Sequence, residues 1–256
     1  MKYKWYGTAS LLFESNKTRL LFDPYLKKFA SAESVPVAEA RSAQAIFITH
    51  PHFDHFCDID AFSEGKRDVY VSPSGIKIAQ KNKLNASCMH TLCAGDEVRV
   101  GAFIVRAYRS RHCVFDAATV ARVVLSPRTW CRLPDVVRIL REIKRYHIQR
   151  EDVLAYHVSD GEKSVLLFGS AGMEPTERYP QADLLIFPYQ GRSRMDRELL
   201  PFLDATSPKA VTIDHFDDAF PPITHAEDTS RFVPTVKMRL PEASAYVPQE
   251  NVWYQV

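Results

Sequence analysis

Glycine is scarce in this chain, nine residues of 256, and no Gly-rich loop is formed that would cradle a nucleotide phosphate. Cysteine is sparse and odd in number: Cys57, Cys88, Cys93, Cys113 and Cys131 contain no C-x-x-C pair. That argues against a disulfide framework and for reduced thiols, so a cytoplasmic location is expected. No run of eighteen apolar residues occurs, which excludes a spanning helix. The opening MKYKWYGTASLLFES is too interrupted by polar residues to read as a signal peptide. Gly/Ser-rich linkers and internal repeats are missing, so one domain over residues 1–256 is expected. With 46% hydrophobic and 25% charged residues, the chain has the composition of a folded globular protein.

Net charge is also small, +2, but it is unevenly spread. Between Arg106 and Arg150 stand eleven basic residues and three acids, a local +8 that leaves −6 for the remainder. A solvated helix face accounts for such a run; a rim that attracts an anionic substrate accounts for it too.

The first half reads as strands. SLLFES (Ser10 to Ser15) and RLLFDP (Arg19 to Pro24) flank a polar turn and predict a hairpin. AIFIT (Ala45 to Thr49), VYVS (Val69 to Ser72) and FIVRAYRS (Phe103 to Ser110) are further strands, with a helix from Pro73 through Gln80. Val136, Ile139, Leu140 and Ile143 then recur at helical spacing among arginines, which predicts a helix over 135–146. The second half returns to strands in LAYHVS, SVLLFG, DLLIFP and AVTID, with helices around Arg194 to Leu203 and His225 to Phe232. The fold class is α/β (α+β), with helices packed outside sheet.

Directly after AIFIT comes His50-Pro51-His52-Phe53-Asp54-His55. With nine histidines in the chain, chance yields this spacing in roughly 7 of 10,000 sequences of the same composition. Histidines two apart on an extended segment point to one side and can grip a single borderline-soft ion. Asp54 and His55 sit close enough to serve a second ion. His112, just past FIVRAYRS, is the natural third ligand for the first ion, and His215, just past AVTID, closes the second.

H-x-H-x-D-H after a short strand, followed by single histidines at strand ends, resembles the metallo-β-lactamase fold superfamily. WYGTASLLFES…LLFDPYL resembles its N-terminal sheet, whose aspartate (here Asp23) lies near the metals. TIDHFDDAFPP is similar to the cytosolic lactonase and phosphodiesterase-like branch. The resemblance implies a four-layer αββα sandwich and a hydrolase with one or two divalent ions, most suited to zinc, with manganese, iron or nickel as alternatives. It assigns His50, His52 and His112 to one ion and Asp54, His55 and His215 to the other. One position departs from the family: in SVLLFGSAGM, Ser170 stands where an ion-bridging aspartate is usual. A hydroxyl is a poorer ligand than a carboxylate, so a weak second site is expected. Asp160, Glu174, Asp214, Asp217 and Asp218 are the acids that would compensate.

Asp54 is expected to orient the attacking water and accept its proton. Tyr189 and His157 are candidate donors to the developing oxyanion. Arg192 and Arg194 offer guanidinium forks to a phosphate or carboxylate. Residues 116–152, carrying Trp130, form a basic helical insertion expected over the site mouth or at a contact between copies. Cys113, next to His112, reads as a packed thiol. The leading function is hydrolysis of a small anionic ester, lactone or phosphodiester. Open beside it stand a nuclease, a non-catalytic metal or ligand sensor, and a single-iron redox enzyme of the same fold. Nucleic acid and membrane are not expected partners, while a homo-oligomer is compatible with the sequence.

Overall fold

Three antiparallel strands start the fold: β1 (Lys2–Trp5), β2 (Leu11–Ser15) and β3 (Thr18–Phe22). Asn16 and Lys17 both take positive φ (47° and 64°), the mirror-image turn whose twist matches that of the strands it joins. The computed structural model describes residues 1–29, 35–148 and 152–256. Arg150, last of the basic run, and the 149–151 part of the insertion lie outside the described residues.

Strands β4 (Ala45–Phe47), β5 (Asp68–Val71) and β6 (Met89–Thr91) extend the first sheet in parallel from β3. A second sheet begins with the antiparallel run β7 (Glu97–Val100), β8 (Phe103–Ser110), β9 (Val153–Ser159) and β10 (Ser164–Phe168). It continues in parallel through β11 (Leu184–Pro188), β12 (Ala210–Asp214) and β13 (Ser244–Tyr246). The last strand, β14 (Trp253–Gln255), returns to the first sheet beside β1.

Alternation along the strands builds the layers. Leu20 and Phe22 of β3 and Phe47 of β4 face the second sheet, where they meet Val105, Tyr156 and Leu167. The intervening Leu21 and Ile46 face outward to a helical layer that includes Phe56, Phe62, Ile78 and Ile139. On the far side, Leu166, Leu185 and Phe187 point to a second helical layer carrying Phe202, Leu203, Phe232 and Val236. Three apolar interfaces thus separate four layers, αββα, as the resemblance implies.

Three helical expectations change. The helix expected at His225 to Phe232 begins only at its end, as Phe232–Arg239. Phe232 and Val236, one turn apart, anchor it in the core, and Pro234 falls in the first turn, where its missing N–H costs nothing. The stretch Arg194 to Leu203 divides into Met195–Glu198 and Leu200–Thr206, the second opening on Pro201. Among its described residues, the basic insertion holds three helices rather than one: Ala117–Leu125, Pro127–Cys131 and Leu133–Arg145. Among the described residues, no helix is long and apolar enough to cross a membrane.

Candidate metal centre

His50 lies just beyond β4, and His52 is the N-cap of the short helix Phe53–Phe56. Phe53 and Phe56, three apart, are buried in the core beneath that helix. Their anchoring turns the intervening Asp54 and His55 toward the opposite side. His112 follows β8 and His215 follows β12, so the second sheet brings its histidines to the same edge.

The side chains gather in two triples. Ligand atoms of His50, His52 and His112 lie within 4.8 Å of one another, and so do those of Asp54, His55 and His215. The triples adjoin, with the His50 and His55 rings 4.0 Å apart between centroids.

A buried hydrogen-bond relay sets the tautomers. The Thr49 amide donates to Asp23 Oδ1 (2.8 Å) and its hydroxyl to Oδ2 (2.6 Å). Having given its proton to Asp23, that hydroxyl can only accept, and it accepts from His50 Nδ1–H at 3.0 Å. His55 Nδ1–H points at Asp23 Oδ2, 3.0 Å away. His112 Nδ1–H donates to the Cys113 carbonyl at 2.8 Å. In all three rings the Nε2 lone pair is therefore the coordinating one, the arrangement that outer hydrogen bonds impose on metal-binding histidines. One carboxylate, Asp23, thereby orients a histidine in each triple. Neither Thr49 nor its role is visible in the sequence, where it reads only as the end of a strand.

Electrostatics divide the two triples. Burial, reinforced by the neighbouring imidazoles, holds His50 well below its ordinary value and His52 at about 3, and burial also lowers His112. These three are neutral ligands at physiological pH. In the other triple burial opposes charge, but the Asp23 carboxylate outweighs it and raises His55. Burial likewise opposes charge on His215, yet Asp54, hydrogen-bonded to its Nε2 at 3.1 Å, pushes it up to about 9. Burial would raise Asp54, but His55 and His215 beside it keep the carboxyl ionised.

The residues fit divalent ions. Neutral imidazoles converge in one triple, and a carboxylate joins imidazoles in the other. Beside the second triple, both carboxylate oxygens of Asp214 and Nδ1 of His215 are buried without a hydrogen-bond partner among the described residues. Burial, partly offset by His215, raises Asp214 to about 7. Backbone strain is present here as well: Asp23 and His215 take φ of 43° and 53°. The His215 amide is held by the Thr8 carbonyl at 2.8 Å.

The other expected residues stand outside the two triples, each with contacts of its own. The Tyr189 ring packs on Phe187 and Phe232 in the outer core, and burial, then Asp196, pushes its hydroxyl to about 12. Its charged neighbours are Asp196, Asp228, Glu227 and Arg231, while its backbone amide donates to the Asp214 carbonyl at 2.9 Å, one residue before His215. His157 faces Arg106 across the β8–β9 register. Arg192 Nε lies 3.1 Å from a Glu198 carboxylate oxygen, and Arg194 forks onto both oxygens of Asp196 (2.9 and 2.6 Å). Ser170 is buried and accepts from the Cys113 amide at 3.0 Å. Of the compensating acids, Asp160 binds Ser15, Glu174 binds Arg111, Asp217 binds Thr8 and Lys27, and Asp218 binds Arg128. Asp214 alone of the five has its carboxylate buried without such a partner.

Two facing mixed sheets between helical layers, with paired His/Asp triples at one edge, define a metal-binding αββα sandwich. The family model described as a beta-lactamase superfamily domain matches residues 18–219, and the chain belongs to that superfamily. A protein of Salinibacter ruber named as a metal-dependent hydrolase is 27% identical over 112 residues, 44% of this chain and 49% of that one. The chain spans about half the length of the curated relatives it matches. The metallo-beta-lactamase fold protein YhfI from Bacillus subtilis superposes with a TM-score of 0.63 at 15% identity, covering 99% of this chain and 98% of that one. Igni18, a metallo hydrolase from Ignicoccus hospitalis, does so at 0.65 and 14%, covering 100% and 98%.

Proposed function

We propose that this chain is a metal-dependent hydrolase of small anionic esters, with lactones and phosphodiesters as the candidate substrates. The observation that carries this reading is the pair of triples, in which His50, His55 and His112 have tautomers preset for coordination through Nε2. His50, His52 and His112 would hold one ion, and Asp54, His55 and His215 the other. When bound, such ions supply Lewis acidity, polarising a carbonyl or phosphoryl group and lowering the pKa of a water beside them. Asp54 is the chain's own proton acceptor: it is ionised, and its carboxylate lies between the His55 and His215 rings. Asp23 and Thr49 keep the histidines in place and take no part in the chemistry. With Ser170 on the Cys113 amide, Asp214 is the carboxylate best placed to balance the second ion's charge.

Elemental analysis of the gently purified chain, paired with turnover on a panel of lactones and phosphodiesters, tests this. At least one equivalent of Zn, Mn, Fe or Ni is expected. His50→Ala/His52→Ala should lose that metal and at least 100-fold in kcat/KM, about 2.7 kcal/mol of transition-state stabilisation. No metal after reconstitution, or metal without turnover on any ester, overturns the reading.

A further inference from the structure

Among the described residues, eleven large apolar side chains are exposed, and nine of them fall between residues 114 and 140. The helix Ala117–Leu125 buries no residue at all, and its one charged side chain, Arg122, is tied to Glu227 at 3.3 Å. The Trp130 indole donates to the Val124 carbonyl (2.7 Å), which draws Val124, Leu125 and Trp130 together at one tip, with Leu125 77% and Trp130 58% exposed. In the adjoining helix Leu133–Arg145, Leu133, Val137 and Leu140 form an exposed stripe at i, i+4 and i+7. Arg141 and Lys144 flank that stripe and have no ion pair among the described residues. Nine exposed large apolar side chains within 27 residues are more than the singly scattered ones that a free surface ordinarily carries.

We propose that this insertion docks on an anionic lipid surface. The two halves of the observation select that occupant together. Apolar side chains with an exposed tryptophan suit the headgroup–acyl boundary, and the fringe of arginine and lysine suits lipid phosphates. A second copy of the chain fits poorly, because a two-fold contact would set the same basic segment against itself. Over residues 116–145, which carry the apolar stripe and the basic fringe, each acid is engaged: Asp116 accepts from Thr119 and Ser193, Asp135 pairs with Arg132 and Glu142 with Arg145. A nucleic acid would use the arginines and leave the apolar stripe wet. The lack of a spanning helix, which led the sequence reading away from membranes, does not bear on surface docking.

Flotation of the full chain with phosphatidylcholine vesicles and with equal-part phosphatidylcholine/phosphatidylglycerol vesicles tests the proposal. Binding is expected to the anionic vesicles alone, to weaken as salt is raised, and to shift the Trp130 emission to the blue. Arg141→Gln/Lys144→Gln should weaken the partition roughly 30-fold. Leu125→Ser/Trp130→Ser should weaken it at least tenfold, with circular dichroism showing both variants folded. His50→Ala/His52→Ala should bind vesicles like the parent chain, which separates this proposal from that of the metal centre. Equal or absent binding to both vesicle types overturns it. So does a dimer in sedimentation that Leu125→Ser/Trp130→Ser converts to monomer, or vesicle binding unaffected by either variant pair.

Discussion

At the scale of single residues, the site depends on side chains of two kinds. His50, His52, Asp54 and His55 are adjacent in sequence, so their shared chemistry is legible there. Thr49 acts through its bonds to Asp23, which only the folded chain reveals, and burial there singles out Asp214 from the five acids that the sequence offered. Asp214 also gives a pH signature. Its value in the folded chain, about 7, stands above the ordinary carboxylate value of 3.8. The folded state therefore holds a proton between these limits that the unfolded chain releases, and stability falls as pH rises from about 4 to about 7. In metal-free protein, Asp214→Asn should match the parent's stability near pH 4 and exceed it by about 2–4 kcal/mol above pH 7. Thermal melts of both proteins across pH check this. A constant difference at every pH would refute it. With metal present the same substitution should lower the affinity of the second ion, read by competition with a chromogenic chelator.

At the scale of elements, the strand pattern was the most legible part. Runs such as FIVRAYRS alternate or are apolar throughout, and the observed strand Phe103–Ser110 coincides with that run. Short edge strands such as β6 and β13 carry three residues each, too few for a period to show. The insertion was harder to read because its helix Ala117–Leu125 has only Thr119 and Arg122 as polar residues, too little contrast to mark a period. One contact between elements is unusually tight. A Cβ added at Gly169, where β10 ends, would lie 2.1 Å from Thr49 Oγ1 and 2.2 Å from its Cβ. Gly169→Ala must therefore displace Thr49 and, through it, His50. It should cost about 1–3 kcal/mol of stability and at least tenfold in metal affinity, read by melting and by competition with a chelator. Metal affinity unchanged alongside a lowered melting temperature would show that the relay tolerates the shift.

At the scale of the whole molecule, the layer order was legible through the family resemblance, whereas the meeting of His112 with His50 and of His215 with Asp54 depends on how the sheets face each other. Each triple takes two side chains from the first sheet's edge and one from the second's. Stripping the metal should therefore lower the melting temperature of the entire chain, because an ion that binds only the folded state stabilises it by mass action, about 4.1 kcal/mol at a thousandfold excess over Kd. Calorimetry before and after exhaustive chelation checks this, and an unchanged transition would mean that no ion is held between the sheets.

That shared ownership of the triples has a kinetic side. Drawing the sheets apart exposes the aromatic interface and separates both sets of ligands in the same movement, so an ion at either triple opposes the first opening of the sandwich. Bringing together ligands that far apart along the chain carries a large loop-closure cost, and we expect them to meet only after the main folding barrier. Metal should then act chiefly on how long the native state survives, slowing unfolding while leaving the rate of folding nearly untouched.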